Sequence, residues 1–372
     1  MKFLILNTDY PEFLCWLYGQ HPGLETKPYD HQMFVRNESL FGAADFYSGN
    51  LRKMGYEAWD IHANNESMQK AWARENGLRL REDGRWKFRM RRGVVPWVSR
   101  VEQVWFYDIL KAQIEHYNPD IILNQAMDGI SSSFLKDMKP HVRLLMGQNA
   151  APLPEGEDFG YYDLVVSSLP NVVERFRRMG VPAEPHRLAF EPRVLQALRN
   201  GEPKTPITFV GSITLYHDSR VRLLEHLCRC ANIKIYGTGV DYLPKESLIR
   251  QHHHGEAWGV DMYQLLFDSK ITVNHHIEMA KSYANNLRLF EATGVGTLLV
   301  TDWKENLHEL FEPGKEVVFY RTPDECAEAV QYYLEHDEER EAIARGGQKR
   351  TLRDHTYCQR MPELVDIVKK YL

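Results

Sequence analysis

The sequence predicts an α/β protein made of two domains, each a doubly wound parallel sheet. Short apolar runs that suit buried strands alternate with amphipathic stretches at helical spacing in both halves of the chain. The 372 residues suit two domains at roughly 150 residues each. A segment rich in proline, glycine and charge divides the two sets of elements. We therefore predict domains at 1–190 and 206–355, a linker at 191–205 and a closing helix at 356–372.

The first half contains five predicted strands, each a short apolar run bounded by polar or turn-forming residues. They are Phe3–Leu6, Ala58–Ile61, Asp120–Asn124, Val142–Met146 and Leu164–Ser167. Apolar residues at helical spacing predict helices at Ala44–Met54, Met68–Glu75, Val98–Tyr117 and Asn171–Met179. Because strands and helices alternate, we expect the strands to run parallel.

Polar side chains follow the predicted strands of the first half. Asn124, Gln125 and Asp128 come at or just after one strand, and Gln148 follows the next. In open α/β sheets, ligands collect at the carboxyl ends of the strands. These residues are therefore candidates for a binding rim, and the alternative is that they only tie loops together.

The second half repeats the alternation. Its predicted strands are Ile207–Val210, Asn232–Tyr236, Ile271–Asn274, Thr297–Val300 and Val317–Tyr320. Its predicted helices are Val221–Leu227, Met262–Phe267, Asn285–Thr293, Pro323–Leu334, Glu338–Arg353 and Tyr357–Leu372. The helix at 285–293 joins two apolar runs, so those two strands should be parallel with a right-handed crossover. Gly294 is expected to end that helix as its C′ residue.

Two places in the second half suit a phosphate. Gly211 and Ser212 directly follow a strand, where a glycine lets the backbone approach an anion and a hydroxyl can donate to it. Arg220, in the next helix, would reach a diphosphate as a fixed cation. The alternative for the glycine and serine is a plain turn.

The second place is the start of the helix at 285–293. Asn285, Asn286 and Arg288 lie in its first turn, where free N–H groups attract anions. Glu291 falls in mid-helix, and it is either a ligand contact or a solvated or N–H-capping carboxylate.

The run Asn-Asn-x-Arg-x-Phe-Glu-Ala-x-Gly at 285–294 resembles the CgeB-like group of GT-B glycosyltransferases. The pattern Phe-Val-Gly-Ser…Arg at 209–220 also resembles that family's first phosphate loop. The resemblance implies a GT-B fold of two Rossmann-like domains around a cleft. It also implies that Glu291 binds the ribose hydroxyls of a nucleotide-sugar donor. Tyr283 stands where many of these enzymes have a second glutamate.

The resemblance extends to the remaining candidates. Tyr236 and Gly237 would lie near the nucleotide base, and His275 would face the cleft as a contact to phosphate or sugar. The rim at Asn124, Gln125 and Gln148 would receive the acceptor, and the helix at 356–372 would cross back onto the first domain. A retaining reaction needs no dedicated base. An inverting reaction would need one on the rim, and Asp128 and Asp9 are the candidates.

The resemblance implies a hexosyltransferase that moves a sugar from a nucleoside-diphosphate sugar, expected to be UDP-linked, to a glycan, lipid-linked or protein acceptor. It implies retention of configuration, no metal and no cofactor beyond the sugar nucleotide. Two alternatives stay open. One is a nucleotide-sugar epimerase on the same scaffold, and the other is a non-catalytic module that binds nucleotide sugars.

Composition excludes several other classes. A net charge of −5 gives no general signal for nucleic acid. The five cysteines form no disulfide framework, and the chain has neither a signal-peptide pattern nor a long apolar run, so we expect a cytoplasmic protein. The histidines at 252–254 and 275–276 lack the other ligands of a metal site.

One segment breaks the pattern. From Arg85 to Arg92, basic residues alternate with Trp86, Phe88 and Met90. The segment is a solvated loop or strand with a charged face, or a patch that meets anionic lipid or an acidic glycan. Binding of single-stranded nucleic acid is a third, less favoured alternative. The second reading would place the protein at the inner face of the membrane.

Overall fold

The computed structural model describes residues 1–80, 86–91, 95–100, 104–154, 156–200, 204–214 and 217–372. Thirteen strands in these residues form two parallel sheets and one antiparallel hairpin. The strands are β1 (Lys2–Asn7), β2 (Glu57–His62), β3 (Trp86–Arg91), β4 (Val95–Arg100), β5 (Ile121–Asn124), β6 (Leu144–Gln148), β7 (Leu164–Ser167), β8 (Ala183–Pro185), β9 (Thr205–Val210), β10 (Ile233–Tyr236), β11 (Ser269–Asn274), β12 (Leu298–Asp302) and β13 (Val318–Tyr320).

Sixteen α-helices surround and connect the sheets in the described residues. They are α1 (Pro11–Gln20), α2 (Tyr29–Glu38), α3 (Phe46–Lys53), α4 (Glu66–Glu75), α5 (Val104–Tyr117), α6 (Ser132–Met138), α7 (Pro170–Arg178), α8 (Val194–Ala197), α9 (Asp218–Cys230), α10 (Leu248–Gln251), α11 (Gly259–Phe267), α12 (Leu287–Gly294), α13 (Leu307–Leu310), α14 (Pro323–Glu335), α15 (Asp337–Asp354) and α16 (Tyr357–Lys369). Within the described part of the chain, no helix is long and apolar enough to cross a membrane.

The two parallel sheets confirm the predicted fold class. The first sheet has the order β2-β1-β5-β6-β7-β8 and the second the order β10-β9-β11-β12-β13. The direction in which successive strands are added reverses once in each sheet, between β1 and β5 in the first and between β9 and β11 in the second, while all these strands run parallel. Ligands bind at such switch points, beyond the carboxyl ends of the strands. The strands β5, β9 and β11, which lead to Gln125, Gly211 and His275, end at these switch points.

Several predicted boundaries are corrected by the structure. The helix predicted from Val98 begins at Val104, because Val95–Arg100 pairs as β4 with β3. The strand β8 and the helices α1 and α2 were not predicted. Arg85 and Arg92 of the basic segment lie outside the described residues, and the hairpin is described by its strands alone.

The role predicted for Gly294 is also corrected. Gly294 is the last residue of α12, and the residue with the left-handed backbone is Gly296, at φ +85°. A Cβ on Gly294 would lie 2.6 Å from the ring of Phe190. Packing therefore requires glycine at 294, and the C′ conformation requires it at 296.

The chain passes between the two sheets at two places that are bonded to each other. The N–H of Phe190 donates to the carbonyl of His355 over 2.8 Å, and the N–H of Tyr357 donates to the carbonyl of Phe190 over 3.1 Å. After this crossing, α16 packs against α3, and Met361 and Leu364 enter the same apolar cluster as Leu51. The limits 1–190, 191–205, 206–355 and 356–372 remain our proposal for the domains.

A buried carboxyl lies in the first half. Asp60, in β2, is hydrogen-bonded to the hydroxyl of Ser48 on α3, and its Oδ1 has no partner among the described residues. Burial raises the pKa of Asp60 to about 7, and the negative charge of Asp45 adds to the rise. At a pH between the pKa of the unfolded chain, 3.8, and that of the folded protein, about 7, the Asp60 carboxyl therefore takes up a proton when the protein folds.

Asp60→Asn should change how stability depends on pH. Because the folded pKa is raised, the wild type should lose stability as pH rises from about 4 to about 7. At ~1.4 kcal/mol per pH unit, the loss approaches ~4 kcal/mol. The variant should lack this loss and exceed the wild type in stability at pH 8. Urea unfolding at pH 5, 6, 7 and 8 tests this, with the exposed Asp30→Asn as control. Parallel pH profiles for wild type and Asp60→Asn would contradict the expectation.

Candidate functional site

The helix α12 begins beside the ends of two strands of the second sheet, and Asn286 joins it to them. The side chain of Asn286 is the N-cap and accepts a hydrogen bond from the N–H of Leu289 over 3.3 Å. Its Nδ2 donates to Oδ1 of Asn274 over 2.7 Å, and Asn274 donates to Oγ1 of Thr301 over 2.9 Å. The Asn286 amide is thus used within the protein, and it orients the helix N-terminus. Asn285 precedes it and is half-buried.

Arg288 and Glu291 form a buried ion pair on α12. Nη1 of Arg288 lies 3.0 Å from Oε2 of Glu291, and the two side chains are 13% and 9% exposed. The hydroxyl of Tyr263 lies 3.5 Å from Oε1 of Glu291, and Sδ of Met262 lies 3.4 Å from Nη2 of Arg288. Burial raises the pKa of Glu291, while the charge of Arg288 opposes the rise. Nε of Arg288 is buried with no partner among the described residues.

Arg220 bridges the ends of β9 and β11. Its Nη1 donates to the carbonyl of Ser212 over 2.7 Å and its Nη2 to the carbonyl of His275 over 2.8 Å. The guanidinium lies over the ring of Phe209 at 5.6 Å, and its Nε has no partner among the described residues. Burial lowers the pKa of Arg220 to about 10, and the positive charge of Arg288 adds to that shift. Arg220 therefore remains a cation at neutral pH, within electrostatic range of Arg288.

Gly211 and Gly237, which were predicted to lie near a ligand, lie against each other. A Cβ on Gly237 would lie 2.1 Å from the carbonyl oxygen of Gly211, and Gly237 has φ +139°. The N–H of Gly211 donates to the carbonyl of Tyr236 over 2.9 Å. Tyr236 is half-buried beside the ring of His254, and the hydroxyl-bearing residue Ser212 is exposed. The glycines thus allow the loops after β9 and β10 to lie close together.

His275 links strand ends to the start of α9. Its Nδ1 lies 3.0 Å from the hydroxyl of Tyr320 and its Nε2 lies 2.9 Å from Oγ of Ser219. Ser219 also donates to Oε1 of Glu278, through its N–H and its hydroxyl. Burial lowers the pKa of His275, and Arg220 contributes to that lowering. Both ring nitrogens are engaged within the second half, so His275 links the end of β11 to Tyr320 and α9, and its contact to phosphate or sugar stays a prediction.

The residues predicted to form a rim in the first half differ in their exposure. Asn124 is fully buried, because its Nδ2 donates to the hydroxyl of Tyr162 over 2.8 Å and its Oδ1 accepts from a backbone N–H. These bonds correct the candidacy of Asn124 for the acceptor-binding rim and favour the alternative, that it ties a loop together. Gln125 and Gln148 are half-buried and hydrogen-bonded to each other over 2.6 Å. Asp128 is exposed, and its charge contributes to the raised pKa of Tyr10.

Asp9, the other candidate base, lies inside an ion cluster. Its Oδ1 is 2.5 Å from Nη2 of Arg36, and its Oδ2 is 3.3 Å from Nδ1 of His62. Burial alone would raise the pKa of Asp9, but the charges of Arg36 and His62 hold it well below its usual range. A carboxylate so stabilised is a poor proton acceptor, which removes Asp9 from the candidates.

The adjacent histidines make backbone contacts. Nδ1 of His252 lies 2.9 Å from the carbonyl of Ile233, and Nε2 of His253 lies 2.9 Å from the carbonyl of Gly237. Among the described residues, no three His, Cys, Asp or Glu side chains form a group that could hold a metal ion.

Sequence reasoning predicted the helix α11 but gave no role in the site to Met262 and Tyr263. Met262 and Tyr263 contact the ion pair on α12, and Trp258 packs with Phe13 and Phe41 of the first half at ring distances of 6.1 and 4.9 Å. Their apolar spacing had suggested only a core helix. A buried tyrosine, which needs a hydrogen-bond partner, was the one available signal.

Comparisons with known proteins agree with this architecture. Residues 220–366 match the family model described as glycosyl transferase-like, and these residues include Arg220, Arg288 and Glu291. No curated protein matches the chain in sequence.

Solved structures match over the whole chain. HepE from Anabaena in complex with UDP-glucose has a TM-score of 0.59 at 11% identity, with 100% of both chains covered. Sucrose-phosphate synthase from Thermosynechococcus elongatus has a TM-score of 0.58 at 9% identity, covering 100% of this chain and 99% of its own. A glycosyltransferase from Rickettsia africae has a TM-score of 0.57 at 11% identity, with 100% and 98% covered. The chain therefore has the GT-B fold.

Gly237→Ala should disturb the second sheet more than a glycine replacement in open space. The new methyl group would collide with the Gly211 carbonyl, which cannot move without shifting the loop after β9. We expect an additional loss of about 2 kcal/mol in unfolding free energy relative to Gly314→Ala. Gly314 also has a positive φ, of +82°, but has nothing within 4 Å of its added Cβ. Chemical denaturation measures both variants, and equal losses would show that the close approach of the two loops contributes little.

Proposed function

We propose that the protein is a glycosyltransferase that uses a nucleoside-diphosphate sugar, with UDP as the nucleotide. The observation that carries the proposal is the buried Arg288–Glu291 pair at the start of α12, within a segment that matches a glycosyl transferase-like family model. The GT-B fold and the binding of UDP-glucose by HepE, a structural neighbour, support it. The resemblance of residues 285–294 to CgeB-like enzymes leads us to propose that group of GT-B glycosyltransferases in particular.

The donor's diphosphate would lie near Arg220 and Arg288. Each guanidinium is largely buried and each has an Nε without a partner among the described residues. A buried N–H group that lacks a partner is costly, so a bound anion would stabilise both residues. Negative charge grows on the leaving diphosphate during glycosyl transfer, and cations already in place lower the barrier.

The ribose would bind at Glu291. A carboxylate has acceptor positions for about four hydrogen bonds, and Arg288 and Tyr263 lie against only two sides of it. The remaining positions can accept from the two neighbouring ribose hydroxyls. Holding the ribose would fix the position of the donor relative to the acceptor.

We propose a retaining, metal-independent transfer, in which the leaving phosphate takes the acceptor's proton. The engaged ring of His275 and the ion-paired Asp9 leave few alternatives for a base. If the reaction is inverting, Asp128 is the candidate, because it is exposed beyond the end of β5. The acceptor would be a glycan, a lipid-linked sugar or a protein that contacts Gln125 and Gln148.

The strand β3 spans Trp86–Arg91 of the basic segment. We propose that this segment makes peripheral contact with anionic lipid, which would keep a cytoplasmic enzyme near a membrane-bound acceptor. The alternation of arginine with aromatic residues in the sequence supports this.

Glu291→Gln should weaken UDP binding ten- to a hundredfold. The loss of the charge that accepts the ribose hydroxyls costs about 1.5–3 kcal/mol, and 1.4 kcal/mol corresponds to a factor of ten. Isothermal titration calorimetry with UDP measures the effect. Glu328→Gln on α14, which is exposed, is the matched control and should bind as the wild type does. Undiminished affinity in Glu291→Gln would remove Glu291 from the site.

The epimerase alternative is tested separately. Mass spectrometry of the products formed from pooled nucleotide sugars would distinguish a glycosylated acceptor from an isomerised sugar nucleotide.

Charge reversal in the basic segment should reduce binding to anionic vesicles. A variant with Arg89, Arg91 and Arg92 changed to Glu should sediment less with vesicles that contain phosphatidylserine, and added salt should weaken the wild type's binding. The control reverses three exposed arginines elsewhere, Arg178, Arg345 and Arg353. Equal sedimentation of the segment variant and wild type would end the proposal of membrane contact.

A further inference from the structure

Consecutive residues of α11 contact the two members of the ion pair on α12. The Tyr263 hydroxyl lies 3.5 Å from Oε1 of Glu291, and Sδ of Met262 lies 3.4 Å from Nη2 of Arg288. Tyr263 is 2% exposed, and Glu291 is the partner the structure gives to its hydroxyl. A tyrosine rather than a phenylalanine at this buried place implies a use for the hydroxyl, since an unpaired buried O–H is unfavourable.

The ring of Tyr263 has little freedom to move. It meets the ring of Phe190 edge to face at 6.3 Å, and Phe190 rests on Gly294 at the end of α12. The start of α11 is held against the first half, because a Cβ on Gly259 would lie 2.4 Å from the carbonyl oxygen of Ser39. A side chain on so constrained a helix can hold another side chain in one orientation.

We propose that Tyr263 is a positioning residue, whose hydroxyl holds the Glu291 carboxylate in the orientation that accepts both ribose hydroxyls of the donor. The inference rests on the proposed function and deepens it. Arg288 holds Oε2 and Tyr263 holds Oε1, so rotation of the carboxylate is stopped at both ends. The hydroxyl also favours the ionised form of Glu291, since its hydrogen bond lowers the pKa that burial raises.

The test compares two ligands on two proteins. The ligands are UDP and 2′,3′-dideoxy-UDP, which lacks the ribose hydroxyls and keeps the base and diphosphate. Tyr263→Phe keeps the ring that packs on Phe190 and removes only the hydroxyl. We expect the wild type to prefer UDP at least tenfold in calorimetry. Tyr263→Phe should bind UDP five- to tenfold more weakly and dideoxy-UDP unchanged, so that the preference falls.

Tyr357→Phe is the matched control, since it removes another buried hydroxyl from the same apolar cluster. It should keep the full preference for UDP, and thermal unfolding should show that each variant is folded. Equal weakening of both ligands in Tyr263→Phe, or an unchanged preference, would overturn the positioning role. A wild-type protein that binds no nucleoside diphosphate would instead overturn the proposed function itself, so the two failures are distinguishable.

Discussion

The second half of the molecule depends on the hydrogen bond between Asn286 and Asn274. One amide caps α12 and at the same time reaches the last residue of β11. A helix N-terminus needs acceptors for its free N–H groups, and a strand end needs partners for its polar side chains. Because one pair of side chains satisfies both the helix N-terminus and the strand end, the start of α12 is fixed relative to the end of β11. The positions of Arg288 and Glu291 follow from that start by helical geometry.

The two halves contact each other through elements that also carry the candidate site. The loop after β11 contains Met279, whose carbonyl accepts from Asn171 of the first half over 3.3 Å, and Ala280, which is buried in the first half's core. On another side, Trp258 packs among aromatic rings of α1 and the segment after α2. The site is therefore shaped by contacts from both halves, which suits a reaction that must exclude water.

The sequence was sufficient for the fold class, because short apolar runs in alternation with helical patterns leave few architectures open. It also brought Arg288 and Glu291 together, since residues three apart on a helix share a face. It failed where the deciding contact is distant in sequence. Asn124 was assigned to the binding rim because Tyr162, which accepts a hydrogen bond from it, lies 38 positions away in the sequence. The bonds of His275 to Tyr320 and Ser219 are also distant in sequence and could not be predicted from the local pattern. Gly294 was assigned to a turn because a ring from Phe190 cannot be foreseen from local pattern.

The paired crossings at Phe190 and His355–Tyr357 have a mechanical consequence. The two connections lie side by side and are hydrogen-bonded to each other, so a rotation of one half relative to the other would turn about the line that they share. Phe190 sits on that line and also lies against the last turn of α12. The end of α12 that contacts Phe190 would therefore move least in such a rotation, which would keep the helix that carries Arg288 and Glu291 in place on the second sheet.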